Sequence, residues 1–598
     1  MDRIVVVSCL LLLLMAGVSV QAQTNTNFVK ETVINVPGIT SPAASDALPI
    51  GSKNETTTYF DGLGRPIQVV KVQQSPTQLD IVQPISYDKF GRERFQYLLY
   101  SYGNDGLYKP EALRTANAEG TDEQQYVTGQ QYNFYQTGGD LPTDNRPFAE
   151  TRFESSPLNR ILEQAGPGEA WASDQNDAYS STDRTIKTSY ETNGSSEVLL
   201  FKYIVPTGNY PIGLIQTGTT SPEYYGEYQL YKTRTKDEQH HEVIEYKDKE
   251  GRVVLKRVQA VEGTPVINDT NYASTYYVYD DFGSLVCVIQ PEGAKRLAAE
   301  YYQSAATLVT KDAFLNRFAF RYAYDARRRM THKQVPGADM VFMVYDNRDR
   351  LVLTQDGNQR PTRNWLFTKY DLLNRPVMTG IKDTTVTLTQ AQMQDAVNGY
   401  YLKTTARWGE SLNGTVHGYT NRTYPLVKDL NKYLTVTYYD DYTFKAQFYD
   451  NVRFDFRDSE LPGEQETSCN THVLGQVVGA RIRVIDNGLA GSFTWLNSVI
   501  YYDGKHRAIQ TISENYKGGE DCVTNVYDFP GKVTKSKSTI STRNVTWTDR
   551  LNVYEGGNKL LNTNPTAVWN TAGAASVERL AAEQDGWVEV MMSELDLN

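Results

Sequence analysis

The chain has 598 residues, 22% of them charged, and a net charge of −11 with no basic stripe, which argues against nucleic acid as a partner. That length suits several ordinary domains or one extended repeat body. Tyrosine outnumbers phenylalanine 42 to 20, an excess that fits β-structure with many half-exposed strand faces.

The first 22 residues read as a secretory leader. Arg3 gives a positive start, Ile4 to Val20 is apolar, and Val20-Gln21-Ala22 is a small-residue cleavage site, so the mature chain is expected to begin at Gln23. The apolar run is at the lower limit for crossing a bilayer and polar residues follow it at once. Cys9 lies inside that run, where it makes a poor lipoprotein site. Cys287, Cys469 and Cys522 remain, too few and too widely spaced for a disulfide framework. With no later segment apolar enough to cross a membrane, the expected location is periplasmic, cell-surface or secreted. Residues 23–55, rich in Thr, Asn, Ser and Pro, read as an extended leading segment.

From Tyr59 onward one phrase keeps returning: Tyr-Asp, two or three variable residues, then Gly-Arg or a worn version. It stands as YFDGLGRPIQ at Tyr59, YDKFGRERFQ at Tyr87, YKDKEGRVVL at Tyr246 and YDDFGSLVCV at Tyr279. Later copies are YDARRRMTHK at Tyr324, YDNRDRLVLT at Tyr345, YDLLNRPVMT at Tyr370, YDGKHRAIQT at Tyr502 and YDFPGKVTKS at Tyr527. Tyr324 and Tyr345 are 21 residues apart, and Tyr502 and Tyr527 are 25 apart, about one β-hairpin per repeat. The fold class is therefore all-β, an array of hairpins.

The Tyr87 copy shows the physics. Asp88 suits the first position of a β-turn, where its carboxylate accepts backbone N–H groups, and Gly91 suits the fourth, where positive φ costs little. Arg92 can reach back to the aspartate or across the strand, and Tyr87 offers an apolar face with a hydroxyl for a wet rim. The same roles fall to Tyr279, Asp280 and Gly283; Tyr345 and Asp346; Tyr370, Asp371, Asn374 and Arg375; Tyr502 and Asp503; and Tyr527, Asp528 and Gly531. Where glycine is lost, Asn374, Asp349 and His506 are residues tolerant of left-handed angles. Arg328 is not, and a different turn is expected there.

Between the repeats, 101–150 reads as long loops with a short helix after Pro110. Phe153 to Arg160 is another turn between strands. Glu292 to Phe314 is alanine-rich with helical spacing, and Thr389 to Gln392 has capping-box spacing ahead of a helix of about ten residues ending at Gly399. Helical spacing returns from Ser576 to Asn598, weakened by Gly586. The organisation read from this is a leader (1–22), the leading segment (23–55), a β domain with the first repeats (56–235), a repeat body with helical insertions (236–560) and a tail (561–598).

No HExxH, CxxC, phosphate-loop or Gly-x-Ser-x-Gly motif is present, so no catalytic, metal or cofactor residue is assigned. His240 and His241 are neighbours that point to opposite faces of a strand, which suits no shared metal. Asp280-Asp281 and Asp440-Asp441 read as turn residues, because paired catalytic carboxylates need a cleft between them. Tyr276, Tyr277, Tyr279, Tyr438 and Tyr439 suit cross-strand packing, with a sugar-binding surface as the rival reading.

The phrases above, together with SPLNRILEQAGPGEAW, FRYAYDARRRMTHKQVPGADMVFMVYDNRDRLVLTQDGNQR and WLFTKYDLLNRPVMTG, resemble the YD-repeat, or Rhs, family of Gram-negative, Bacteroidota-type proteins with an N-terminal domain of unknown function. The resemblance runs from about Thr56 to Leu560. It implies hairpins in one continuous sheet that coils into a hollow shell, able in that family to enclose a toxin or other variable domain. The family's Asp-Pro-x-Gly self-cleavage signature is missing, so the chain resembles the N-terminal portion of such a protein, an incomplete shell with an exposed sheet edge. The function implied is that of a non-enzymatic exported shell, scaffold or interaction surface. Its partners would be a downstream Rhs core or toxin polypeptide, or a cell-surface glycan. The rival is a carbohydrate- or surface-binding protein using exposed tyrosines.

Overall fold

The computed structural model describes residues 26–541 without 116–125, 138–140, 174–183, 207–210, 219–221, 303–306, 404–407, 449–452 and 486–494. Outside that span it gives only the backbone of short strands at Val5–Val6, Trp547–Leu551, Val553–Gly556, Lys559–Asn562 and Gly573–Ser576. The leader, the cleavage site before Gln23 and the helical spacing beyond Ser576 lie outside the described residues.

The fold is all-β, with hairpin following hairpin. Each repeat phrase closes its hairpin in the same way: the aspartate N–H donates to the carbonyl four residues on, and the fourth turn residue donates back to the aspartate carbonyl. At Asp88 these bonds are 2.9 Å to Arg92 and 2.9 Å from Gly91. The pairing register slips by one beside the phrase tyrosine, as at Val278/Tyr279, Ala323/Tyr324, Val344/Tyr345 and Val526/Tyr527. A type I turn followed by a left-handed bulge residue does this, and its twist matches that of the flanking strands.

The chain forms two compact units, 1–365 with 383–396, and 366–382 with 397–598. In the first, a small sheet joins Asn27–Ile34, Lys53–Phe60, Pro66–Lys71, Ile81–Pro84 and Tyr100–Ser101. A long antiparallel ladder then runs from Phe95–Tyr97 through Phe148–Phe153, Ile161–Ala165, Ile186–Thr192, Tyr231–Lys236 and Glu242–Lys247. It continues through Val253–Gln259, Tyr272–Tyr279, Leu285–Ile289, Ala319–Tyr324 and Met330–Gln334 to Val341–Tyr345 and Leu351–Gln355. The second unit holds a ladder of Pro376–Asp383, Tyr433–Asp440, Val473–Arg483, Trp495–Tyr502, Ala508–Glu514, Glu520–Tyr527 and Val533–Ile540.

Strand alternation makes the core. Along Tyr272–Tyr279 every second residue is buried, with Tyr272, Ser274, Tyr276 and Val278 inward. Tyr272, Tyr276 and Val278 join Ile244, Tyr246, Leu255, Cys287 and Ile289 in one apolar cluster, which Leu297, Tyr301, Phe314 and Leu315 of the helical insertion cover. That insertion comprises Pro291–Arg296, a wider turn at Leu297–Tyr301, and Leu308–Phe318. The buried Arg321 guanidinium ties it down, donating to Asp312 at 2.8 Å and Asn316 at 2.6 Å.

The second expected helix runs Gln390–Leu402, longer than the spacing suggested. Its capping box forms in both directions, Gln392 N–H to Thr389 Oγ1 at 3.3 Å and Thr389 N–H to Gln392 Oε1 at 2.9 Å. The chain turns from Pro110 to residue 115, and 116–125, where the helix expected after Pro110 would continue, lie outside the described residues. A helix also runs Gln130–Gln136, where Gln131 is buried and bonds the Leu98 and Pro147 carbonyls. One expectation fails. The leading segment is not simply extended, since Pro42–Asp46 is a short helix capped by Ser41. Arg328 also departs from expectation: it takes φ +62° in the same turn as the other copies.

Gly91 has φ +78°, and a Cβ there would lie 3.0 Å from Arg65 Nη1. Gly91→Val should destabilise the protein by roughly 1–3 kcal/mol, because a β-branched residue is strained at positive φ and also meets that guanidinium. Urea unfolding measures it, and an unchanged midpoint would contradict the turn geometry.

Candidate functional site

The residues that recur are organised into one device. Within each turn the aspartate is fully used: Asp88 Oδ1 accepts from Phe90 N–H and Arg92 N–H, each at 2.9 Å, and Oδ2 takes the Arg92 guanidinium at 2.8 Å. The same three bonds form at Asp61–Arg65, Asp248–Arg252, Asp325–Arg329, Asp346–Arg350, Asp371–Arg375 and Asp503–Arg507. Burial works to raise the Asp88 carboxyl, but the Arg92 N–H and guanidinium and the Phe90 N–H outweigh it and hold it below its ordinary value. Asp503 is lowered in the same way by Arg507 and Lys505.

Several of these arginines also grip the tyrosine of the next hairpin. Arg65 lies 4.4 Å from the Tyr87 ring centre, Arg252 5.1 Å from Tyr279, Arg329 4.9 Å from Tyr345, and Arg507 4.8 Å from Tyr527. The hydroxyl of that tyrosine donates back to the carbonyl just after the arginine. The bonds are Tyr87 to Pro66 at 2.9 Å, Tyr279 to Val253 at 3.0 Å, Tyr345 to Met330 at 2.8 Å and Tyr527 to Ala508 at 2.9 Å. Tyr502 likewise bonds Val477 at 2.7 Å. The hydroxyl expected at a wet rim is thus spent on the neighbouring backbone. At Tyr59 and Tyr246 the tyrosine stands two residues before the aspartate, so the strand pleat turns it into the core.

The left-handed turn residue completes the contact. Beside a preceding arginine it is either glycine, which leaves room, or an acceptor. Arg329 donates to Asp349 at 2.8 Å, Arg92 to Asn159 at 3.3 Å, and Arg375 to both oxygens of Asp440 at 2.8 and 2.6 Å. Asn374 and His506 hold φ +66° and +59°. The Tyr279 copy shows the converse. Ser284 replaces its arginine, Asp280 Oδ1 still takes Phe282 and Ser284 N–H at 3.0 and 2.7 Å, and the next turn carries Arg328 where glycine would stand. No guanidinium competes for that space, which explains why a bulky residue is tolerated there.

Sequence reading missed two members of the row. The segment Asp237 to His241 is a worn copy, with Asp237 N–H bonded to the His241 carbonyl at 3.0 Å and His240 at φ +71°. His240 therefore occupies the glycine position and His241 the arginine position, and the pair's adjacency reflects turn geometry. The signal was present as an aspartate four residues before His241, hidden because Lys236 stands where tyrosine is usual. Tyr439-Asp440 is the other, an aspartate that turns outward from its own hairpin to bind Arg375.

Sequence reading also missed a buried ionic knot in the second unit. Along Asn364–Tyr370 the inward positions are Trp365, Phe367 and Lys369, so a lysine occupies an apolar face. Lys369 Nζ donates to Glu410 Oε1 at 3.1 Å, Asn421 Oδ1 at 2.8 Å and the Thr423 carbonyl at 2.8 Å, and neither charged side chain has exposed surface. Burial lowers the Lys369 ammonium against the opposing pull of Glu410. Glu410 accepts in addition from the Thr420 and Thr423 hydroxyls, each at 2.6 Å, and from the Arg422 and Thr423 N–H groups, each at 2.9 Å. The loop carrying it is pressed against the strand end, since a Cβ on Gly409 would fall 2.5 Å from the Asp371 carbonyl carbon.

The remaining candidates resolve simply. Cys287, Cys469 and Cys522 are free thiols, and burial pushes Cys287 up to about 12. His332 and His417 are driven down to about 4, by burial first and then by Arg360 and Arg481 respectively. Among the described residues no group of three or more His, Cys, Asp or Glu could hold a metal. Tyr276 and Tyr438 are buried, and the Tyr279 and Tyr439 hydroxyls are bonded to backbone, so only Tyr277 of the five proposed sugar-facing tyrosines remains half-exposed without such a bond. It lines a cleft of about 330 Å³ with Tyr225, Arg252, Asp280 and Asp281. No described helix is long and apolar enough to cross a membrane.

A sequence-family model described as a domain of unknown function (DUF6443) matches residues 32–185. No curated protein matches the chain. Among solved structures, the chain is similar to the TcdB2-TccC3-Cdc42 crystal structure at 10% identity and a TM-score of 0.38, covering 83% of this chain and 19% of that one. The TcdB2-TccC3-TEV structure gives 12%, 0.39, 90% and 21%. The chain thus spans about a fifth of those chains, and likeness at this level decides nothing about its activity.

The arginine device is testable where it is missing. Ser284→Arg combined with Arg328→Gly should restore it and stabilise the protein by about 1 kcal/mol more than the two single changes added together. A double-mutant cycle in urea measures this, and simple additivity would show that the two positions do not share a contact.

Proposed function

We propose that the chain is a non-enzymatic structural body of an exported YD-repeat protein, a shell or scaffold wall. The observation that carries this is the use made of its polar side chains. The residues that recur most often, Asp, Arg and Tyr of the phrase, satisfy one another and the neighbouring backbone, and so present hairpin edges and not a reacting centre. The secretory pattern of residues 1–22 supports export, and the phrase resemblance supports a polypeptide cargo or downstream core as partner. The match at residues 32–185 agrees with the N-terminal domain that the resemblance named.

Glycan arrays and turnover assays on polysaccharide and protein substrates, run on the purified chain, test the assignment. Flat responses in both are expected, together with limited proteolysis that cuts between ladders and spares them. A saturable glycan signal abolished by Tyr277→Ala would move the assignment to surface binding, and turnover of any polymer would overturn it.

A further inference from the structure

The Lys369–Glu410–Asn421 cluster holds more chemistry than an ion pair needs. A primary amine lies within hydrogen-bond reach of both a carboxamide and a carboxylate, with no water-exposed surface on the amine or the acid. We propose that Lys369 and Asn421 become joined by an isopeptide bond, formed without any other enzyme, with Glu410 as the proton acceptor.

The geometry supplies each requirement. Nζ sits 2.8 Å from Asn421 Oδ1, against the carboxamide whose Cγ it would attack, and 3.1 Å from Glu410 Oε1, which takes its proton. Burial disfavours the ammonium and so eases the passage of its proton to Glu410. Asn421 Nδ2 is oriented by the Val427 carbonyl at 2.9 Å, which fixes the amide face presented to the lysine. Glu410 is held by the Thr420 and Thr423 hydroxyls and by its own N–H, which donates to the Tyr370 carbonyl at 2.8 Å.

The step balances. The Nζ–Cγ bond forms, the Cγ–Nδ2 bond breaks, and the amide nitrogen leaves as ammonia. Of the five protons on the lysine ammonium and the carboxamide, one stays on the new amide, three leave with ammonia and one remains on Glu410. A buried ion pair is thereby replaced by a neutral amide and a neutral acid, which removes the desolvation cost of two charges in a dry interior. The product bolts the loop around Glu410–Thr423 to the strand Asn364–Tyr370, a cross-link that restricts the unfolded chain as a disulfide does.

Peptide mapping by mass spectrometry of the purified full chain decides it. The expected result is a linked pair of peptides carrying Lys369 and Asn421, lighter than their sum by about 17 Da, the mass of ammonia. The linked pair is the readout because an N-terminal glutamine can lose the same mass. Glu410→Gln and Lys369→Met should each abolish the linked pair. Separate, unmodified Lys369 and Asn421 peptides from folded wild-type protein would overturn the proposal. So would a linked pair that persists in Glu410→Gln, for the role of the carboxylate.

Discussion

The fold depends on where one arginine sits. At Arg65, Arg252, Arg329 and Arg507 the guanidinium lies between the aspartate of its own turn and the tyrosine ring of the next hairpin, as Arg329 does between Asp325 and Tyr345. The first contact fixes the turn, while the second fixes the distance and angle to the neighbour. A half-buried charge with two good partners is satisfied in only one arrangement, so register passes from hairpin to hairpin without a helix or loop to set it. The tyrosine hydroxyl, bonded to the backbone just beyond the arginine, locks the same junction from the other side.

The phrase made the turns legible in the sequence, down to the position of the aspartate and the left-handed residue. What it hid was the coupling, because a contact between repeats is a relation between residues about 20 positions apart and leaves no local pattern. Asp349 shows this. Its acidity looked like tolerance of positive φ, yet its carboxylate binds the preceding Arg329. Arg328 shows the opposite, a residue that seemed to break the turn and is accommodated because Ser284 vacates the space. The helix Gln130–Gln136 was hidden for a related reason: the buried Gln131 that anchors it bonds the Leu98 and Pro147 carbonyls, which are distant in the sequence.

The buried Lys369 was visible only as an oddity, a lysine in step with Trp365 and Phe367. Its partners come from a loop 41 to 54 residues later whose Gly, Asn and Thr content reads as irregular chain. Side chains of the kind that carry catalysis elsewhere are thus committed to internal bonds in both units: Arg321 to the helical insertion, Glu410 to its loop, and the repeat aspartates to their turns.

Hydrogen exchange on Arg329→Lys tests the central claim most directly. Lysine keeps the charge but loses the fork that holds Asp325 and the flat face that stacks on Tyr345. If the arginine couples hairpins, amide protection will fall in Val341–Tyr345 and Leu351–Gln355 as well as in its own strands, Ala319–Tyr324 and Met330–Gln334. Loss of protection confined to the Ala319–Gln334 hairpin would show that the clamp is private to each turn, and would contradict the account.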